Sequence, residues 1–293
     1  MGVDADVCDA GFPNTFRVRR RRPKTLPSVS LLIPTYGVRV SDRNGGQTSL
    51  LRAFIASIEA KTTYDNFEYI ISFDSDNAVK AAKEASELVT KPSTFIPYRE
   101  GPQGFNFSHK VNEMASRSSG EVLVILNDDL EVLTADWLEE LVFRALEPGV
   151  GAVGAKLMYE DGTLQHAGVV CANRASYHYC YGEPGEALGP FADLSIAREV
   201  SAVTGACLAI TKDNYFKVGG LSELLPNNFN DVDLCLKLRR AGLRNVWTPY
   251  AQLIHLESRS RANTVNLWED EILISRWRQT MLWDPYYNPN LVE

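Results

Sequence analysis

Carboxylates gather at three places in this chain, each beside an apolar run. Asp74 and Asp76 close "FEYIISFDSD", Asn127-Asp128-Asp129 close "VLVILNDD", and Asp231 and Asp233 open "NDVDLCLKL". Carboxylates crowded together repel one another unless something cationic joins them. Hard divalent ions take oxygen ligands and are often shared with substrate phosphates, so the chemistry the two strand-end clusters suit is a metal–diphosphate site. Each cluster also has a plainer reading. Asn and Asp are favoured in turns, and an acid in the first turn of a helix is favoured by the helix dipole. Two histidines follow the same logic. His255 ends "AQLIH" and His166 follows the turn in "DGTLQHAG"; either could serve a ligand or be a core histidine with its ring satisfied.

The elements that must carry these residues read as alternating strands and helices. "VSLLIP" is a short apolar strand stopped by Pro34, and Leu50, Leu51, Phe54, Ile55 and Ile58 then recur at helical spacing. "FEYIISF", "TFIP" and "EVLVILN" are further strands, separated by helices over 78–89 and 107–117. Thr134 is placed to cap a helix carrying Leu138, Leu141, Val142 and Ala145. Such alternation predicts an α/β fold with a mostly parallel sheet covered by helices on both sides. Ligands in such sheets sit at the carboxyl ends of strands, and Asp74, Asp76, Asp128 and Asp129 all fall there.

Beyond Gly151 the rhythm changes to a smaller mixed portion. "GAVGAKLMY", "GVVCA", "SAVTGACLAIT", "LRNVW" and "AQLIHL" read as strands, with a helix starting near Asn230. The final 30 or so residues pair a helix (Leu273, Ile274, Trp277, Met281) with the irregular "DPYYNPN". Its Trp277, Met281 and Trp283 read as core or interface residues rather than lipid anchors. The chain divides into a basic leader (1–27), an α/β domain (28–262) and a C-terminal helical extension (263–293).

Bulk properties narrow the classes. The 293 residues are 45% hydrophobic and 23% charged with a net charge of −7, which argues against a nucleic-acid partner. The leader "RVRRRRPK" reads as a solvated linker, with attraction to an anionic membrane surface as its alternative. No run approaches the roughly 20 apolar residues that span a bilayer, and the polar N-terminus lacks a signal-peptide core. Five scattered cysteines form no CxxC pair, so reduced thiols in the cytoplasm are expected rather than a disulfide framework or zinc site.

Taken in order, "SLLIPTY", "FDSD", "VILNDDLEV", "DGTLQHAG", "VTGACL", "FNDVDLCLKLRRAG" and "IHLESRSR" resemble family 2 glycosyltransferases of the GT-A fold, over about residues 28–262. The likeness is strongest to bacterial surface-polysaccharide enzymes, rhamnosyl- and galactofuranosyltransferase-like modules among them, some of which are parts of longer multidomain proteins.

The resemblance implies roles position by position. Pro34, Thr35 and Tyr36 match the strand end that touches the nucleotide, Asp74 the acid that recognises the base, and Asn127 and Asp128 the turn beside the ribose and diphosphate. Asp129 matches the principal ligand of Mn²⁺ or Mg²⁺, and His255 a histidine that completes the metal shell. Asp231 stands at the catalytic base. Trp137, His166, Gly205 and Asn230 correspond to the acceptor or donor-sugar cavity. Asn127 replaces the first acid of the family's Asp-x-Asp, which shifts metal duty onto Asp129 and His255. The loop "GVRVSDRNGGQ" is longer than the family pattern.

The implied activity is inverting, metal-dependent transfer of a hexosyl group from a UDP- or dTDP-sugar to a saccharide hydroxyl in surface-polysaccharide synthesis. Its partners would be a nucleotide-sugar donor and an oligosaccharide or lipid-linked acceptor. Peripheral contact with the inner face of the cell membrane and additional glycosyltransferase modules are further implied partners. The alternative is a non-catalytic module that binds carbohydrate or nucleotide sugar. A sugar nucleotidyltransferase would want a glycine-rich phosphate loop after the first strand, and a dinucleotide oxidoreductase a GxGxxG; neither is present.

Overall fold

In the computed structural model, residues 4–37, 40–41, 48–74, 78–256, 266–288 and 290 are described. Asp76, residues 38–39 and 42–47 of the glycine-bearing loop and "SRSR" lie outside them.

Ten strands form the central sheet: β1 Val29–Thr35, β2 Phe67–Asp74, β3 Ser93–Tyr98, β4 Val122–Leu126, β5 Leu130–Val132, β6 Val150–Met158, β7 Leu164–His166, β8 Arg198–Val200, β9 Cys207–Thr211 and β10 Arg244–His255. The main path runs β8-β10-β6-β9-β4-β1-β2-β3, with β7 on β6 and β5 on β10. β1, β2, β3 and β4 are mutually parallel, as are β6 and β10; β9 joins the two halves antiparallel to both neighbours. This is the α/β, mostly parallel arrangement expected.

The parallel half is apolar on both faces because helices cover both, α2 (Ala78–Ser86) on one side and α5 (Lys212–Lys217) on the other among them. Along β1, Leu31 and Ile33 face one side, with Phe54 and Ile55 of α1 (Leu50–Lys61) and Leu138 and Leu141 of α4 (Trp137–Ala145) in the same core. Leu32 faces the other, toward the core of Val111 and Met114 of α3 (Phe107–Arg117), Leu234 of α6 (Asn230–Arg240) and Trp277 of α7 (Leu267–Trp277). Side chains alternate across a strand, so one seven-residue strand anchors two cores. Each large apolar side chain so buried contributes about 1.5–3 kcal/mol.

The sheet opens where it matters. β4 accompanies β1 only through Leu32, whereas β2 follows β1 to Thr35. Pro34 thus continues β1 instead of stopping it, because it lies past the stretch paired on both sides. The chain after β4 turns through Asn127–Asp129 and returns as β5, which pairs with β10 from Leu130↔His255 to Val132↔Leu253.

Several local expectations change. Thr134 does not cap α4; its hydroxyl donates to the Tyr250 carbonyl and accepts from Gln252 N–H, and α4 begins at Trp137. "SAVTGACLAIT" is strand only from Cys207, while the two segments at 243–256 are one strand with a register shift around Pro249. The leader is no solvated linker. Ala5–Asp9 and Phe16–Arg20 pair as a hairpin, and Arg17 reaches Asp136 (3.2 Å) and Glu140 (3.0 Å) on the α4 side. Arg19, Arg20 and Arg22 also pair with acids of this helix region, and Arg21 with Asp4 and Asp6. The arginines of the run are thus paired with acids of the chain, with Arg19, Arg21 and Arg22 still about half exposed.

Candidate active site

Asp129 and His255 meet because β5 pairs with the end of β10. His255 Nε2 lies 3.0 Å from Asp129 Oδ1, with both residues buried. Asn127 Nδ2 approaches the same ring nitrogen at 3.2 Å, and Gln165 Oε1 lies 2.7 Å from His255 Nδ1. If Nδ1–H donates to that carbonyl oxygen, the Nε2 lone pair accepts from the Asn127 amide and lies beside the Asp129 carboxylate. A metal cation between Nε2 and Oδ1 would draw on both as ligands. A ligating histidine typically donates its second N–H to a carbonyl or carboxylate, and Gln165 supplies that contact.

The donor set therefore fits a hard divalent ion held by one carboxylate and one imidazole, with room left for substrate oxygens. Among the described residues no group of three or more His, Cys, Asp or Glu is placed to hold a metal.

Asp128 turns the other way. It is buried and accepts a hydrogen bond from Thr35 Oγ1, tying the open end of β1 to the acidic turn. Thr35 Oγ1 also accepts from Gly37 N–H at 2.9 Å. Tyr36, between them, is 53% exposed at the rim. Asp74 pairs with Lys110 Nζ at 2.8 Å, and the same ammonium donates to the Thr35 carbonyl at 2.7 Å. Lys110 is almost wholly buried and lies 5.2 Å from the Tyr98 ring centroid. Removing one partner of a buried ion pair typically costs about 3–5 kcal/mol, so Lys110 holds Asp74 in place.

Asp231 stands at the start of α6, preceded by Phe229 in a left-handed conformation (φ 61°, ψ 6°). Its Oδ2 accepts from Gly205 N–H at 2.8 Å and its Oδ1 from Val232 N–H at 2.8 Å. Both oxygens keep a further lone pair, and the residue remains partly exposed. The neighbouring Ala206 carbonyl accepts from Asn127 N–H at 3.0 Å. Two consecutive residues, Gly205 and Ala206, therefore link Asp231 to the Asn127–Asp129 turn.

His166 supports this link without lining a cavity. It is fully buried, its Nε2 accepts from Thr204 N–H at 3.3 Å, and its Nδ1 lies 2.9 Å from His178 Nδ1. Burial, then His178, Arg198 and His255, push its pKa well below the ordinary value, keeping the ring neutral. Asn230 is buried with its amide on the Leu225 carbonyl, 3.4 Å away. Trp137 does not join the site. It is wholly buried at the start of α4 with its indole N–H on Thr62 Oγ1 at 3.0 Å, as a core residue.

Two contributors escaped the sequence reading. Lys110 had a signal, since it shares the helical stripe Phe107, Val111 and Met114, where a lysine is out of place unless paired. Gln165 stands beside His166 inside a motif already singled out; alternation along β7 sends the two side chains in opposite directions.

The profile of "Glycosyl transferase family 2" matches residues 30–180. The chain is 39% identical over 274 residues to "Uncharacterized protein y4gI" of Sinorhizobium fredii (strain NBRC 101917 / NGR234), covering 90% of this chain and 29% of that protein. It is 33% identical over 308 residues to "O-antigen biosynthesis protein RfbC" of Myxococcus xanthus, covering 99% of this chain and 22% of that one. The chain thus spans less than a third of either curated relative. Among solved structures it resembles GalNAc-T7 with UDP, GalNAc and Mn²⁺ (TM-score 0.64, 16% identity, 87% of this chain and 49% of that chain). That level of identity speaks to the fold, which is GT-A. The family match takes in the strands that deliver Asp74 and Asp129 to the sheet edge, and the chain belongs to glycosyltransferase family 2.

Proposed function

We propose that the protein transfers a hexosyl group, with inversion, from a UDP- or dTDP-sugar to a saccharide hydroxyl during surface-polysaccharide synthesis. The observation that carries this reading is the linkage of Asp231, through Gly205 and Ala206, to the turn bearing Asp129 opposite His255. Asp129 and His255 would hold Mn²⁺ or Mg²⁺, which supplies Lewis-acid stabilisation of the diphosphate leaving group.

The other tasks fall to the chain's own groups. Thr35, Tyr36 and Asp74 border the nucleotide, Asp74 being oriented by Lys110, and Asn127 offers an amide to the ribose. Asp231 accepts the proton of the acceptor hydroxyl as it attacks the anomeric carbon from the face opposite the leaving group. One base and one displacement invert the centre, with no carboxylate nucleophile required. Gly205 and Asn230 flank the base and form the near wall for the sugars.

The RfbC likeness supports a role in O-antigen-type polysaccharide assembly, with an oligosaccharide or lipid-linked acceptor. Such work takes place in the cytoplasm at the inner membrane face. Contact there would be peripheral; among the described residues no helix is long and apolar enough to cross a membrane. The low coverage of both relatives supports companion modules.

The test is a panel of UDP- and dTDP-hexoses with Mn²⁺, read as nucleoside-diphosphate release with and without oligosaccharide. Acceptor-stimulated release from one donor is expected. Binding of nucleotide sugars without release from any of them would favour the non-catalytic module instead.

A further inference from the structure

Asp231 is bracketed by two buried carboxylates that tie it to the C-terminal helix. On its N-terminal side is Glu269, from the first turn of α7, which is fully buried with both oxygens engaged. Oε1 accepts from the backbone N–H groups of Asn227 (2.8 Å) and Asn228 (2.9 Å). Oε2 accepts from the side-chain amides of Asn228 (2.7 Å) and Asn266 (2.8 Å). On its C-terminal side is Asp233, also fully buried. Its Oδ1 accepts from Arg276 Nη1 and Trp277 Nε1, both at 2.8 Å, and Lys237 Nζ lies 3.5 Å from Oδ2.

Burying a carboxylate costs several kcal/mol unless hydrogen bonds replace its water. Four donors converge on Glu269, two of them backbone groups of the turn that leads into Asp231. That turn contains Phe229 at positive φ, a conformation costly for a bulky residue and one that persists only where its surroundings enforce it. The enforcing group comes from more than forty residues downstream of Asn227. An acid in the first turn of a helix would ordinarily face solvent and serve the dipole; this one is turned inward onto the loop of the proposed base.

We propose that Glu269 is a positioning residue for sugar transfer: it clamps the Asn227–Asn228 turn and so sets the direction from which Asp231 meets the acceptor hydroxyl, with the Asp233–Arg276–Trp277 contact as second anchor. This rests on Asp231 being the base. It makes α7 part of the catalytic unit, although the helix lies outside the residues that the family profile matches.

The test compares Glu269→Gln and Glu269→Ala with the parent, using the donor that supports turnover in the panel above and Mn²⁺-UDP for binding. Glu269→Ala removes all four acceptor contacts. A displacement of about 1 Å at a reacting group can cost roughly 100-fold, and a fall in kcat of that order is expected. Glu269→Gln keeps a carbonyl oxygen for the two backbone donors and should recover most of the loss. Donor KM and Mn²⁺-UDP affinity should stay within about twofold in both, since a positioning effect is confined to the transition state.

Parent-like kcat in both variants would overturn the proposal. So would a loss of nucleotide affinity and thermal midpoint parallel to the loss of kcat, which marks a general tether. If Glu269→Ala fails to fold, Glu269→Asp, which keeps the charge but draws the carboxylate back from the turn by one methylene, takes its place and is judged by the same criteria. Parent-like turnover in Asp231→Asn would defeat the base itself; an inactive Asp231→Asn with parent-like Glu269 variants would defeat only the clamp.

Discussion

Asp129 and His255 face each other at 3.0 Å from opposite members of the β5–β10 pair, while Gln165 holds the far nitrogen of the imidazole at 2.7 Å. Rigid backbone pairing sets this geometry, so the two groups confront each other before any substrate arrives. A cation bound between the two would be ligated by both, with the Asn127 amide at the same ring nitrogen giving way to it.

Gln165 should therefore matter to metal affinity without being a ligand. Gln165→Leu removes the amide oxygen that lies 2.7 Å from His255 Nδ1, freeing both the ring's orientation and its tautomer. Loss of such a supporting contact typically weakens metal binding by about 10–100-fold. Mn²⁺ titration followed by electron paramagnetic resonance checks this, and parent-like affinity would show that Gln165 does not tune the histidine.

Trp137 belongs to the core, and its substitution should behave accordingly. Trp137→Ala deletes a fully buried indole and the hydrogen bond to Thr62, at a cost of about 3–5 kcal/mol. Denaturant unfolding measures that loss. Below the melting transition, Mn²⁺-UDP affinity should be that of the parent.

His166 makes stability depend on pH. Its folded-state pKa is depressed by burial first and by His178, Arg198 and His255 after it, so the unfolded chain binds the extra proton more readily. The corresponding stability is fully present above the unfolded value of about 6.5. It is lost as pH falls below it, by up to about 1.4 kcal/mol per pH unit for one proton. Unfolding free energies measured between pH 7.5 and 5 should decline in the parent and decline less steeply in His166→Gln.

The parallel half of the fold was legible because its strands are buried on both faces and spell continuous apolar runs, as in Leu31–Ile33 and Val122–Leu126. The irregular segment Ser201–Ala206 was not. Its residues are as apolar as those of a strand, yet the backbone leaves the ladder to reach Asp231 and Asn127. The N-terminal hairpin was hidden for another reason. Its docking depends on Arg17 meeting Glu140, 123 residues away, which no local pattern reports. Of the site, Asp129, Asp231 and His255 stood in recognisable motifs, whereas Glu269 looked like any acid in a helix's first turn.

Asp231→Asn keeps the size of the side chain and an oxygen for the Gly205 N–H, but cannot take a proton. Loss of a general base typically costs about 10²–10⁴-fold, so kcat should fall in that range with Mn²⁺-UDP affinity preserved. Steady-state turnover together with calorimetric binding checks both halves.

The most direct measurement is isothermal titration of UDP into Asp129→Ala and the parent, each with and without Mn²⁺. In the parent, Mn²⁺ should tighten UDP binding; in Asp129→Ala that gain should shrink at least about tenfold, a change of about 1.4 kcal/mol, while metal-free binding is unaltered. An equal Mn²⁺-dependent gain in both proteins would contradict the assignment of the cation to Asp129 and His255.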